Sequence, residues 1–273
     1  MIPRAYINEW QQYAPWPQRY QVEQDLIVCR ALVEIFNHPD LMDCLAFRGG
    51  TALYKLHIEP VRYSEDIDLV QVHPGPIGHV MDALQERLNP WLGKPGRKQS
   101  EGRVTLTYKM QSEEEMPLKL KVEINSREHF SVFGVERRTL NVRSRWFTGS
   151  ASILTYQLDE LLGTKMRALY QRKKGRDLFD LWKAFKAQDP SPARVVSSFL
   201  HYMENEGHRV SRAEFEENLY EKLDDPRFIE DIGPLLIVDS EWDLAKAAEF
   251  MMQELVVLIP GDPWQGKARG AKK

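Results

Sequence analysis

Hydrophobic period changes abruptly near residue 150, and that change limits the chain to a mixed first half and a helical second half. Upstream, Val104, Leu106 and Tyr108 alternate with polar residues, as do Leu118, Leu120, Val122 and Ile124. This period of two predicts a pair of antiparallel strands around the acidic turn 113–115. Downstream, the segments 158–171, 177–186, 192–204, 212–222 and 242–258 read as helices, with little strand signal between them. The predicted class is α+β: a domain over 1–150 with a small mixed sheet and flanking helices, then a helical domain over 151–260. The last stretch, 261–273, is Gly-rich and basic and is expected to be a disordered tail.

Within the first part, residues 1–20 carry three prolines and two tryptophans and read as an irregular lead-in. Val22, Leu26, Cys29, Val33 and Phe36 predict a helix over 21–36. Short strands are expected at 44–47 and 67–72, a short helix at 51–57, a longer one at 77–91, and a polar turn at 93–102. No internal repeat is present.

Charge and cysteine content exclude several classes. The net charge is −3 and the pI about 6.2, so a nucleic-acid partner would have to be held by a local patch. Cys29 and Cys44 lie in apolar stretches without metal-site spacing and read as buried reduced thiols. No run of 18 apolar residues and no signal-peptide core is present, so a cytoplasmic protein without membrane contact is expected.

Chemistry concentrates in residues 47–70, FRGGTALYKLHIEPVRYSEDIDLV. Gly49-Gly50-Thr51 lies between a predicted strand and a helix, where backbone N–H groups can cradle phosphate oxygens, or where the chain simply turns tightly. It is not a Walker A loop, because the six-residue spacing and the Lys-Ser/Thr pair are absent. Asp66 and Asp68 are two apart on a predicted strand, so they share a face at about 6.5–7 Å along the chain. Two like charges so placed repel, and a cation is expected between them. Glu123 has the parity of Lys119 and Lys121, opposite to the apolar residues of its strand. It is either a third carboxylate facing an active-site cleft or a solvated Glu beside two lysines. Oxygen ligands of this kind select Mg²⁺ or Mn²⁺. Ser64 shares the face of Asp66 if the strand begins there, and His57 reads as a packing residue.

GGTALYKLH followed by RYSEDIDLV resembles the first motif of the DNA polymerase β-like nucleotidyltransferases, and more closely the AbiEii-type toxins of type IV toxin–antitoxin systems. LDELLGTKMRALYQRKKGRDLFDLWKAF, residues 158–185, resembles the helical motif of the same family. The resemblance implies a polymerase β-like core whose helical domain completes the nucleotide site. It implies transfer of a nucleoside monophosphate from an NTP to RNA, at the tRNA 3′ acceptor end, blocking translation and growth as a toxin or in phage defence. An antitoxin encoded upstream is the implied partner. Carried over by residue, Gly49, Gly50, Thr51 and Ser64 would hold the nucleotide, and Asp66 and Asp68 the metals. Glu123 would be the third acid, a departure from Asp. Lys165 and Asp180 would serve nucleotide binding and catalysis, with Arg176 and Asp177 also at the nucleotide. Between 161 and 176 there are six basic residues and no acidic one. They form either a solvated basic face or an RNA seat, with Arg167, Arg172, Lys173 and Lys174 as RNA contacts. Two other readings stand beside this one: a nucleotide-binding regulatory module without transferase activity, and transfer to a protein or small-molecule hydroxyl.

Overall fold

The computed structural model describes residues 2–237 and 241–266, and the chain divides into two compact units, Met1–Gln157 and Leu158–Lys273. The first unit runs α1 (Arg4–Trp10), α2 (Arg19–Phe36), β1 (Leu45–Arg48), α3 (Gly49–Ala52) with a π-helical turn Leu53–His57, β2 (Ile67–Gln71) and α4 (Gly78–Leu92). It continues with β3 (Gly96–Ser100), β4 (Arg103–Gln111), β5 (Pro117–Asn125), β6 (Val135–Arg143) and β7 (Thr148–Tyr156). The seven strands form one mixed sheet in the order β3-β4-β5-β2-β1-β7-β6. β2–β5 and β1–β7 are parallel pairs and the rest antiparallel.

Alternation decides which face of the sheet is covered. Val104, Leu106 and Tyr108 of β4 and Leu118, Leu120, Val122 and Ile124 of β5 are buried, and α2 packs against β5 and β7 while α4 packs on α2 and β4. The polar residues of the same strands face the other way. α2 starts at a reciprocal Gln18–Gln21 cap and stops at Asn37, as its apolar period ends.

Four differences from the sequence expectations have physical reasons. The lead-in is not irregular: it contains α1 and is pinned by a buried carboxylate. Asp25 accepts from Trp10 Nε1 at 2.8 Å and Trp16 Nε1 at 3.2 Å, and pairs with Lys55 Nζ at 2.5 Å. The polar turn at 93–102 contains β3, an edge strand whose residues are all exposed and therefore carry no alternation. β6 and β7 had no counterpart in the expectations. β6 is the opposite edge and buries only Leu140 and Val142. The helix expected over 242–258 is instead three short pieces, α10 (below), a π-helical turn Met251–Leu255 and a 3₁₀ turn Val256–Leu258.

The second unit is helical: α5 (Leu158–Gln171), α6 (Gly175–Ala187), α7 (Pro192–Asn205), α8 (Arg212–Leu223), α9 (Pro226–Ile229) and α10 (Leu244–Phe250). α5 packs against α6 and α7. Caps set the starts: Ser191 before Pro192 in α7, and a Ser211–Glu214 capping box in α8. Of the expected tail, residues 267–273 lie outside the described residues. Trp264 is seated on α8, its N–H donating to Glu216 Oε2 at 2.7 Å and its ring lying 5.4 Å from that of Tyr220. Among the described residues no helix is long and apolar enough to cross a membrane.

Candidate active site

β1 ends at Arg48 and α3 begins at once, so the chain reverses over the two glycines. Gly49 has φ +84°, which disfavours any side chain, and a Cβ on it would overlap Asp68 Oδ2. The β1–β2 register, Arg48 opposite Asp68, brings that carboxylate to the turn. At Gly50 a Cβ would meet the Arg62 guanidinium and Ser64 Oγ. Both glycines are thus demanded by close approach. The Arg48 side chain does not cap α3, so its first N–H groups have no side-chain acceptor there. Thr51 is buried, and its hydroxyl lies 2.9 Å from that of Ser64. These two hydroxyls support the turn from behind.

The acids meet through β2 and β5. Their parallel register sets Asp68 beside Glu123, while Ile67 and Leu69 turn into the core. Asp66, just before β2, is half-buried, and its carboxyl is pushed up to about 6. Burial is the largest cause and the charge of Asp68 the next; Lys121 opposes them, and Glu65 and Glu123 add to the rise. Glu123 accepts from the Thr105 hydroxyl at 3.3 Å and pairs with Lys121 Nζ at 3.1 Å. Against its own burial, Lys121 is held above its ordinary value by Asp66 and Glu123.

Among the described residues no three His, Cys, Asp or Glu side chains are grouped so as to hold a metal ion by themselves. Of the expected ligands, Glu123 is engaged by Lys121 and Thr105, while Asp66 and Asp68 stand two apart at the start of β2. That pair fits a divalent cation: it is a hard oxygen donor set, and its mutual repulsion is what a cation would relieve. Mg²⁺ is commonly held by one or two carboxylates with substrate phosphates completing the shell.

The neighbouring basic groups are committed to partners. Arg48 pairs with Glu128. Arg62 is buried, donates to the Tyr63 carbonyl at 2.9 Å, and lies 5.1 Å from the Tyr54 ring centre. His57, in the π-helical turn, has its pKa lowered to about 4, by burial first and by Arg138 second. Lys121 and Thr105 are the members of this site that sequence reasoning did not single out for it. Their signal was parity, since Lys121 shares the face of Glu123.

In the helical unit, Lys165 Nζ is 2.7 Å from Asp180 Oδ2 and 3.6 Å from Asp177 Oδ1, all three side chains buried. Asp177 also accepts two hydrogen bonds from Arg172, at 2.6 and 2.8 Å. Lys165, Asp177 and Asp180 are thus brought together. Arg176 is not among them; it forms a two-bond fork with Asp231 at 2.9 and 3.0 Å. The remaining bases are paired as well: Arg167 with Glu206, Lys173 with Asp225 and Lys174 with Asp231.

The family model described as nucleotidyl transferase AbiEii toxin, type IV toxin–antitoxin system, matches residues 30–250. The chain belongs to the AbiEii nucleotidyltransferase toxin family. This AbiEii chain is therefore a nucleotidyltransferase, and its family implies an NTP substrate and an antitoxin partner. Solved structures agree in fold. MenT4, a nucleotidyltransferase toxin from Mycobacterium tuberculosis H37Rv, superposes with a TM-score of 0.56 at 14% identity, over 94% of this chain and 90% of that one. A Helicobacter pylori protein described as a nucleotidyltransferase gives 0.52 at 17% identity, over 88% of this chain and 95% of that one. JHP933, also from Helicobacter pylori, gives 0.50 at 16% identity, over 88% and 92%. No curated protein is matched by sequence.

Proposed function

We propose that this AbiEii nucleotidyltransferase uses a divalent metal ion, Mg²⁺ or Mn²⁺, to move a nucleoside monophosphate from an NTP to the 3′ end of an RNA, the tRNA acceptor end. The activity would block translation in the cytoplasm, in growth control or phage defence, until a partner encoded upstream restrains it. One observation supports the reading: Gly49 leaves room for Asp68, so the glycine turn meets a carboxylate of the proposed cation-binding pair.

In this scheme the uncapped N–H groups of Gly49 and Gly50 take triphosphate oxygens, with Thr51 and Ser64 holding the turn in shape. Asp66 and Asp68 hold the divalent ion, which when bound neutralises charge at the α-phosphate. The acceptor 3′-oxygen forms the new bond to the α-phosphorus as the bond to the leaving pyrophosphate breaks. Glu123, beside Asp68, is the base for the proton of that 3′-hydroxyl.

For Lys165, Asp177 and Asp180 the observed pairing favours a supporting role within the helical unit. Offering Lys165 to a phosphate would break two buried ion pairs, and Arg176 is tied to Asp231 in the same way. Arg172, Lys173 and Lys174 keep about half of their side-chain surface exposed and can exchange a carboxylate for an RNA phosphate. Arg167, 10% exposed, is poorly placed to do so.

The test is incubation of the purified protein with total RNA, Mg²⁺ and each labelled NTP in turn, followed by sizing of the labelled product. Label in a tRNA-sized band is expected. Label only in protein or in small molecules would replace RNA as the acceptor, and no transfer from any NTP would defeat the scheme.

A further inference from the structure

The face of the sheet that carries the acids does not end at them. Reading across the register from β2, Asp68 pairs with Glu123 of β5, Glu123 with Thr105 of β4, and Thr105 with Lys98 of β3. Directly paired residues share a face, so these four form one row. On the same face lie Arg103 (paired with Asn125 and Ser100), Thr107 (paired with Lys121 and Gly96), and the facing pair Lys109 and Lys119. The opposite face of β4 and β5 is the apolar core, so these polar side chains stand out into solvent. Lys98, Arg103, Lys109 and Lys119 are exposed, and among the described residues none of them pairs with a carboxylate.

Of the nearby acids, Glu115 of the β4–β5 turn forms no ion pair among the described residues, and four others are already committed. Glu123 holds Lys121, Glu101 holds Arg127, and Glu113 and Glu114 of the β4–β5 turn hold Arg4 and Arg19. In a chain of net charge −3, four uncompensated cations and two threonine hydroxyls are therefore gathered beside the acid pair. The contrast with the helical unit is direct, because each base of the run 165–176 is paired with a carboxylate.

We infer that this open face of β3, β4 and β5 is the track for the phosphate backbone of the acceptor strand, leading its 3′ end to Asp66 and Asp68. The inference rests on the proposed RNA acceptor and names the surface that would hold it. Dimensions suit the task. Lys98 is two strands, about 10 Å, from Glu123, and the Lys109–Lys119 pair is four residues, about 13 Å, along the strands from it. At about 3.4 Å of rise per stacked nucleotide, that length covers roughly four nucleotides of a single strand. Exposed lysines on a polar sheet face suit a backbone held without regard to base sequence. A protein acceptor would be expected to meet an apolar patch here, and this face has none.

The experiment compares wild type with a Lys98→Glu/Lys109→Glu/Lys119→Glu triple variant. A control, Arg97→Glu, changes charge on β3 where the register pairs Arg97 with Leu106, on the opposite face. Binding of a fluorescent tRNA is followed by anisotropy from low to high salt, alongside KM and kcat for transfer, with circular dichroism and thermal melting to establish folding. The triple variant is expected to bind tRNA at least ~30-fold more weakly near 0.1 M salt. Its plot of log K against log salt should be shallower by about 2, from three phosphate contacts at ~0.7 each. KM for RNA should rise while kcat at saturating RNA falls far less, and Arg97→Glu should stay within about threefold of wild type. A folded triple variant with the wild-type salt slope overturns the track alone, as does an equal loss in Arg97→Glu. Wild-type protein that binds no RNA overturns the track and the RNA acceptor together. If the triple variant fails to fold, the single variants carry the same comparison, each expected to lower the slope by about 0.7 and each overturning the track if it does not.

Discussion

The strand face around Asp66 and Asp68 and the buried cluster around Lys165 are made of the same residue types and treat charge in opposite ways. In the helical unit every base of the run 165–176 has a carboxylate, and Lys165 sits between Asp177 and Asp180. On the sheet, burial first and the charge of Asp68 second hold Asp66 up to about 6. A cluster satisfied from within has nothing to offer a ligand without first being broken. A cluster whose carboxylates raise one another's proton affinity gains from a further cation. A surplus of acid therefore marks the start of β2, and cancelled charge marks the Lys165 cluster.

The sharpest way to break the contrast is Asp68→Ala. Labelled-NTP incorporation should fall by at least ~1,000-fold, equivalent to about 4 kcal/mol at the transition state, while the melting temperature holds or rises because repulsion is removed. Undiminished incorporation would remove the carboxylate pair from the chemistry. The reciprocal change is Asp180→Ala, which leaves Lys165 with only the longer contact to Asp177. Denaturant unfolding should show a loss of about 3 kcal/mol. The paired substitution Lys165→Met/Asp180→Leu should recover most of that loss. If it does not, the cluster contributes more than internal balance.

Gly49→Ala lies between these extremes. It forces a Cβ against Asp68 and a side chain onto a backbone of positive φ, so activity should drop by about 100-fold and stability by about 1–2 kcal/mol. Ala at Gly78, where nothing lies within 4 Å, should leave both nearly unchanged. The last test concerns His57, away from the proposed chemistry. Its folded pKa of about 4 lies below the unfolded value near 6.5, so between those values the unfolded chain binds more protons. Stability should hold above pH 6.5 and decline by on the order of 2–3 kcal/mol as pH falls to 4. A His57→Gln variant should show a flatter profile in the same urea titrations.

Legibility in the sequence followed side-chain burial. α7 and α8 were readable because each hides one stripe at a period near 3.6, α2 and α5 because their apolar residues recur at that period although burial spreads further round them, and β4 and β5 because they hide alternate residues. β3 escaped because it is exposed on both faces, and β6 because its burial is confined to Leu140 and Val142. α1 lay between prolines, and its anchor is Asp25, a residue whose tryptophan and lysine partners come from three separate segments. Within the site, the glycine turn and the Asp66/Asp68 spacing were local and visible. The commitments of the basic run were not, because their carboxylates at 206, 225 and 231 are far along the chain.

Sequence alone therefore determined the local facts: which residues alternate, which recur at helical spacing, and that two acids share a strand face. These follow from backbone periodicity, which acts over a few residues. Tertiary structure decided which charges are cancelled. Pairing β2 with β5 set Glu123 beside Asp68, and helix packing gave each base of the run 165–176 an acid. Electrostatic energy depends on distance through space, and no spacing along the chain encodes it.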